Sequence, residues 1–393
     1  MSDRPSRAKS MEREVVIVGA GLAGLTAARY LEKADFDVLV LESSERPGGR
    51  MKSDYIDGFV LDHGFQVINS KYPEVIAADI IDSSEFIHLP AGFRVIDGET
   101  SARYSIASAV TSPGSLREKF AFLQFLSTHA VNSESLGQKA VNFQKLYAQL
   151  LQPFLRGVFL TEPSNISADA AQKILRSFIS GRPGVPSKGV GVFSSLLASK
   201  VSNIRYQSVV QEISEGRVIT DNESIGADFV IVATDPTTAH QLIQGRTIPE
   251  VLPSTTWYHV TQGELRNSDL LAAQRTGGVI NSVVMSKLAP SYAPVGQTLI
   301  ASTTLGAISE SDVRRELSKI WEISTHDWQL LAKYEIKQSL PMHGVGQPLY
   351  SKQRITNSLY LAGDHCTYPS QQGAMESGRL VAEEIIRRVA LKR

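Results

Sequence analysis

Cysteine is almost missing from this 393-residue chain: Cys366 stands alone, so an internal disulfide is excluded and no thiolate pair exists to hold zinc. A reducing compartment suits such a chain, and the cytoplasm is the expected location. Long apolar runs are scarce as well. The most apolar stretch, from Val15 to Leu31, is broken by Arg29, short of the roughly 18 uncharged residues that a membrane-spanning helix needs. No transmembrane segment is expected. Charge of one sign is not in excess, with 40 Lys and Arg against 40 Asp and Glu, which removes any global electrostatic reason to expect nucleic acid as a partner. The sequence offers no triad spacing, carboxylate pair or His/Cys cluster, so no metal is expected. Residues 1–13 are polar, mixed in charge and without an apolar h-region, and read as a disordered lead rather than a signal peptide.

What is present begins at "VVIVGAGLAGLTAARYL". A buried strand, a G-x-G-x-x-G turn, a helix and a second strand ending at Glu42 make one βαβ unit. Gly19 permits the tight bend, Gly21 lets backbone approach a pyrophosphate and Gly24 lets helix pack on strand, with phosphate charge received at the helix N-terminus. Glu42, 18 residues past Gly24, is placed to accept hydrogen bonds from a ribose. Strand, turn, helix and acidic strand end agree on dinucleotide binding. They do not separate NAD from FAD. The following "RPGGR" adds Gly49 and the guanidinium of Arg50, which either lies across phosphates or is a solvated turn arginine.

The length predicts two or three domains at roughly 100–200 residues each. Beyond Glu42 the chain is turn-rich with short alternating strands, then helical between about 112 and 182. There "SLREKFAFLQFLSTHAV" places Leu116, Phe120 and Leu123 on one stripe, widened by Phe122, Phe125 and Leu126. Core packing of that stripe is the default expectation; a greasy substrate tunnel or rest on a membrane surface are the alternatives. Strands return from 204 to 234, the last ended by Asp235-Pro236, and strand-rich sequence from Thr256 to Leu305 leads to a short helix near 310–322. The end reads as strand "SLYLAGD" followed by helix "AMESGRLVAEEIIRRVA". Gly363 and Asp364 close that strand, and Gly373-Ala374-Met375 opens the helix. A strand-end aspartate can bond ribityl hydroxyls, and helix N-terminal amides can stabilise charge developing on a flavin.

At this point the chain resembles the superfamily of flavin-containing amine oxidases, phytoene desaturases and protoporphyrinogen oxidases. The resemblance rests on "VVIVGAGLAGLTAARYL…VLVLESSERPGGR", "PFLRGVFLTEPSNIS", "ADFVIVATDP" and "LYLAGDHCTYPSQQGAMESG". The third-from-last of these pieces looks closer to the desaturase and protoporphyrinogen oxidase branches. The likeness implies an α/β fold: a Rossmann-like FAD-binding domain with a doubly wound sheet, from 14–80, 183–250 and 340–393, and an inserted α+β substrate-binding domain from 81–182 and 251–339. It implies non-covalent FAD, since Cys366 does not stand where the family makes a covalent link. The cofactor is expected to meet Gly19, Gly21, Leu22, Ala23, Gly24, Glu42, Ser43, Gly49 and Arg50 along its adenosine and pyrophosphate. Val210, Ala233 and Thr234 would border the adenine, Gly363 and Asp364 the ribityl chain, and Gly373, Ala374 and Met375 the flavin ring, with Gly64, Phe65 and Gln66 passing close by.

No side-chain base is singled out; Gln66, Gln371 and Gln372 are candidates beside the flavin. His63, His343 and His365 are each open to two readings, a proton carrier or a hydrogen-bonded structural histidine. The segment "SQQGAM" carries glutamines where amine oxidases of the superfamily often place an aromatic residue, and "TTAHQLIQG" lacks the lysine many of them carry, Lys287 being too far along to replace it. Phe120, Phe122, Phe125, Phe154 and Phe159 offer apolar surface for a larger, less charged substrate. The expected function is therefore hydride removal from a small apolar organic molecule by FAD, with oxygen or a quinone as final acceptor. A flavin amine oxidase and a non-redox flavin-dependent isomerase or mutase are the alternatives. Beyond the small-molecule substrate and the acceptor, contact with a membrane surface is the partner left open, and nothing in the sequence sets an oligomeric state.

Overall fold

A computed structural model describes residues 11–90, 92–104, 113–214, 216–243, 249–263, 265 and 270–391. The chain divides into two compact units: the described residues of Met1–Gly49, Ser194–Ile248 and Tyr350–Arg393, and those of Arg50–Phe193 and Pro249–Leu349. Residues 50–80, 183–193 and 340–349 thus fall with the second unit. Residues 1–10 of the expected lead lie outside the described residues. Its last three, by contrast, already belong to the first strand.

The first unit is a Rossmann-like sheet. Strands β1 (Met11–Val18), β2 (Val38–Leu41), β7 (Ile204–Arg205) and β10 (Ser224–Val232) run parallel in the order β7-β2-β1-β10. All four residues of β2 are buried, as are Val15 to Val18, because helices on a parallel sheet leave its strands no wet face. Beyond β10 two elements share its free edge. Strand β9 (Arg217–Thr220), hairpin partner of β8 (Val210–Ser214), pairs antiparallel with its start, and β16 (Leu359–Leu361) pairs parallel with its end. Helix α1 (Leu22–Glu32) packs on α6 (Gln371–Ala390) so closely that a Cβ on Gly378 would lie 2.1 Å from the Ala23 carbonyl oxygen. Helix α6 starts three residues before the expected Ala374, because Ser370 caps it through the Gly373 N–H at 2.9 Å.

The second unit is built on a seven-stranded sheet. Its order is β15 (Gln329–Pro341), β11 (Val251–Gln262), β14 (Gln297–Thr304), β13 (Val279–Val284), β12 (Leu271–Gln274), β5 (Phe93–Asp97) and β6 (Thr100–Tyr104). Alternation along each strand divides its faces. Trp257, Ile300 and Val284 meet Val313, Leu317 and Trp321 of helix α5 (Glu310–Trp321), the helix expected near 310–322. Tyr258, Val283 and Leu299 face the other way, packing with Tyr292 and with Phe59 and Leu61 of β4 (Phe59–Asp62), which forms a hairpin with β3 (Ser53–Ile56).

Helix α2 (Leu116–Ser127) corrects the expected core stripe. Leu116, Phe120 and Leu123 are 84%, 69% and 49% exposed, while Phe122 and Phe125 are buried. The reason is where the neighbours lie. Phe143 stacks on both buried rings at 5.4 and 5.8 Å. From helix α4 (Ala168–Ile179), Gln172 donates to the Phe125 carbonyl and Arg176 Nε donates to the Leu126 carbonyl at 2.7 Å. Phe159, in helix α3 (Gln152–Phe159), is wholly buried, and Phe154 stacks between Phe93 and Phe178.

Candidate functional site

In the first unit the three fingerprint glycines have separate reasons. Gly19 sits at φ +106°, and a Cβ there would come 2.8 Å from the Ala233 carbonyl oxygen; at Gly24 it would come 2.0 Å from the Gly19 carbonyl oxygen. Both are demanded by the fold. Gly21 is different: no protein atom lies within 4 Å of a Cβ built on it. The helix it caps receives no side-chain cap and carries no acidic residue in its first turn, which leaves the positive end of the helix for an anion. Gly49, at φ +58°, brings its Cβ position to 3.5 Å from Gly21 Cα. A pyrophosphate fits this arrangement.

Glu42, at the end of β2, is buried and already employed. Its Oε2 accepts from the Ala20 N–H at 2.8 Å, and its Oε1 accepts from the Ser44 N–H at 2.9 Å and the Ser44 hydroxyl at 2.7 Å. A carboxylate accepts about four hydrogen bonds, so capacity for a ribose hydroxyl remains. Ser44 was not legible as its partner, whereas Ser43 is exposed. The stretch leading to Val210 runs beside Glu42: Ser208 N–H donates to the Glu42 carbonyl at 2.8 Å and Gln207 N–H to the Ser44 carbonyl at 3.0 Å. Burial, and then the Glu42 charge, push the Tyr206 phenol up, which places another ring at this end. Ala233 and Thr234 follow β10, the Ala233 N–H donating to the Val18 carbonyl at 2.8 Å.

At the other end of the unit, Gly363 has φ +155°, and Asp364 is buried at the start of a single 3₁₀ turn. Ser377 Oγ of α6 accepts from the Gly363 N–H at 2.8 Å, tying strand end to helix. Gly373 admits no side chain, since its Cβ would lie 2.0 Å from the Tyr368 carbonyl oxygen. Gln372, Ala374 and Met375 are buried, and Gln371 is half-buried. Cys366 is a buried thiol whose Sγ faces the Leu361 carbonyl at 3.8 Å.

Of the remaining expected residues, all but His365 belong to the second unit. Arg50 Nη1 donates to the Ser339 carbonyl at 3.0 Å. Gln66 Nε2 donates to the carbonyls of Arg50 at 2.8 Å and His63 at 3.0 Å, which makes it a strut for the turn that Gly64 enters at φ +96°. Phe65 packs against the apolar sheet face. His63 Nε2 pairs with Asp54 Oδ2 at 2.8 Å, and the Tyr334 hydroxyl donates to the same oxygen at 2.9 Å. His343 is buried, which pushes its imidazole down, and Ser167 N–H donates to its carbonyl at 3.0 Å. The imidazole of His365 crowds Gly363.

Asp62 carries no signal in the sequence. It is fully buried, with Oδ1 accepting from Ser53 Oγ at 2.5 Å and the Val190 N–H at 3.0 Å, and Oδ2 from the Tyr292 hydroxyl at 2.9 Å. Burial outweighs these donors and raises its carboxyl to about 6. Its partners lie up to 230 positions away, so no local signal marked it.

The family model for flavin-containing amine oxidoreductases matches residues 85–386, and one for NAD(P)-binding Rossmann-like domains matches 17–79. The chain belongs to the flavin-containing amine oxidoreductase family. FAD is accordingly the cofactor that the family implies. Polyamine oxidase 2 of Arabidopsis thaliana is 40% identical over 75 residues, 19% of this chain and 15% of that protein. The zeta-carotene-forming phytoene desaturase of Myxococcus xanthus is 43% identical over 61 residues, 16% of this chain and 12% of that one. The chain therefore matches less than a sixth of the length of either relative. In fold, a protoporphyrinogen oxidase-like protein from Exiguobacterium sp. 255-15 superposes with a TM-score of 0.73 at 17% identity, covering 97% of this chain and all of the other. Among the described residues no helix is long and apolar enough to cross a membrane.

Proposed function

We propose that this family member oxidises a small apolar organic substrate with non-covalently held FAD. The observation that carries the reading is the open approach at Gly21, with an uncapped helix end behind it and a buried carboxylate, Glu42, holding acceptor capacity at the strand end. When bound, FAD supplies at N5 the acceptor for a hydride from a substrate carbon. The chain's own work is then to hold the phosphates at residues 21–24, the ribose at Glu42 and the ribityl chain at Asp364, and to orient the substrate. The second compact unit, with its apolar sheet face, is the proposed substrate-binding part, and the first the FAD-binding part. Oxygen or a quinone is the proposed final acceptor, and the cytoplasm the proposed location.

An amine substrate is the second reading, favoured by the polyamine oxidase among the relatives. Against it stand Gln371 and Gln372 at the start of α6, which give a cationic amine none of the roughly 0.5–2 kcal/mol that an aromatic face offers. The deciding experiment extracts the cofactor with acid and then screens bleaching of the bound flavin under anaerobic conditions by putrescine, spermidine, L-amino acids, phytoene and protoporphyrinogen. Intact FAD in the supernatant and bleaching by an apolar compound are expected. Flavin left on the precipitate defeats non-covalent binding; rapid bleaching by an amine, with peroxide formed in air, reverses the ranking.

A further inference from the structure

We infer that the outer face of α2, in the second unit, is a docking surface for an anionic lipid bilayer. Leu116, Phe120 and Leu123 recur at helical spacing on one side of α2, and all three are exposed. Single apolar side chains at a surface need no explanation; a row of large ones over two turns does. The helix that presents them is firmly held. Ser115 and Glu118 cap its start reciprocally, Gln172 donates to the Phe125 carbonyl, and Arg176 donates to the Leu126 carbonyl at 2.7 Å and the Thr128 carbonyl at 2.5 Å. Phe122 and Phe125 anchor the opposite side on Phe143. The exposed side chains therefore belong to a fixed ledge of the fold.

The charges around this face say what covers it. At about 100° per residue, Arg117 and Gln124 border the apolar row on one side and Lys119 borders it on the other. Arg117 is exposed and Lys119 half-buried, and among the described residues neither has an ion-pair partner. Lys145, also exposed and without such a partner among them, brings a third cation to this end of the helix, its N–H donating to Glu118 Oε1 at 2.6 Å. Glu118 is the one acidic residue of α2. It lies on the buried side with Phe122 and Phe125, its other oxygen accepting from the Ser115 N–H at 2.8 Å. Helix α5 shows the contrast, since there Arg314 and Arg315 pair with Glu310 and Asp312 of the same helix.

A face of Leu and Phe bordered by unpaired cations matches the boundary layer of a bilayer, where acyl chains receive the apolar groups and anionic headgroups meet the guanidinium and ammonium. At 12 residues α2 is too short to cross, so it rests on the surface. A second copy of the chain fits less well. A two-fold contact through this face would set Arg117 and Lys119 against the same cations of the other copy with no acid between them, and lysine is depleted from the cores of protein interfaces. The docking stands independently of the oxidation proposed above.

The test sediments the full-length FAD-loaded protein with vesicles of phosphatidylcholine alone or mixed with phosphatidylglycerol. Binding to the mixed vesicles should exceed binding to phosphatidylcholine by about tenfold or more and fall as salt screens the headgroups. L116S/F120S should lower it by about tenfold or more, and R117Q/K119Q should remove the preference for the anionic lipid, with flavin content and melting temperature as in the wild type. A second readout places an environment-sensitive fluorophore on L123C, the native Cys366 being buried; its emission should move to the blue when mixed vesicles are added. No sedimentation with mixed vesicles, or equal sedimentation of L116S/F120S and wild type, overturns the inference. So does a label already shifted to the blue before vesicles are added, and a shift that grows with protein concentration gives the face to a second copy instead.

Discussion

At the scale of single residues, the fingerprint separates what the fold requires from what the ligand requires. Gly21 has φ −79° and ψ −179°, a conformation any residue adopts, and open space around its Cβ. Gly21→Ala should therefore change stability by no more than about 0.5 kcal/mol yet weaken FAD binding at least tenfold, because the added methyl occupies the phosphate approach. Gly24→Ala should instead lower the melting temperature of the apoprotein, its Cβ meeting the Gly19 carbonyl oxygen at 2.0 Å. Calorimetry of both apoproteins alongside FAD titration checks the split; equal loss of stability in the two would refute it. Glu42→Ala should cost roughly 1–3 kcal/mol of FAD affinity, since it removes a ribose acceptor and also releases the Ala20 and Ser44 donors that shape the turn. Gly24 and Glu42 are legible because the Gly19 carbonyl oxygen, the Ala20 N–H and Ser44 that they meet lie in or beside their own βαβ unit, although Gly19 also answers to the distant Ala233 carbonyl oxygen. Asp62 was not: Ser53, Val190 and Tyr292 reach it from three segments, and a lone Asp between Leu and His carries no trace of them.

At the scale of elements, the period of α2 was readable but its buried side was not. A 3.6-residue repeat tells that a helix has faces; only Phe143 and α4, which lie elsewhere in the chain, decide which face is covered. Phe122→Ala should cost about 3–5 kcal/mol as a buried ring lost from a stack, while Phe120→Ser should stay within about 0.5 kcal/mol. Urea midpoints rank the two, and a reversed ranking would contradict the packing. The β3–β4 hairpin offers a second test through Asp62. Its carboxyl titrates at about 6 in the folded chain against 3.8 in the unfolded one, so between those values the folded state binds the extra proton. Stability from this group is complete below about pH 4 and is lost as pH rises through 6, by roughly 3 kcal/mol from a shift of about two units. Asp62→Asn, with a neutral amide in the same place, should flatten that fall. The observable is the difference between unfolding free energies at pH 4.5 and 7.5, wild type against variant. An unchanged difference would show that Asp62 is ionised throughout.

At the scale of the whole molecule, each compact unit is assembled from distant pieces of chain. The sequence makes β10 and β16 legible because their ends, Val230 to Val232 and Tyr360 to Leu361, are apolar and buried and an aspartate follows each three residues later. It did not show that residues 50–80 fold with the second unit, because β3 and β4 are short and half polar, and it is Tyr258, Tyr292 and Val190 that claim them. The first unit is the one that depends on the end of the chain. Strand β16 completes the edge of β10, and α6 covers α1 with Gly378 against Ala23 and fastens Gly363 through Ser377. A chain ending at Leu349 keeps Gly19, Gly21, Gly24 and Glu42 but exposes the apolar faces of β10 and α1 to water. It should retain no FAD on gel filtration while still showing a cooperative unfolding transition, since every segment of the second unit is still present. Stoichiometric flavin on that fragment would mean that the glycine turn holds the cofactor without the last strand and helix, and that the three segments of the first unit are not one folding unit.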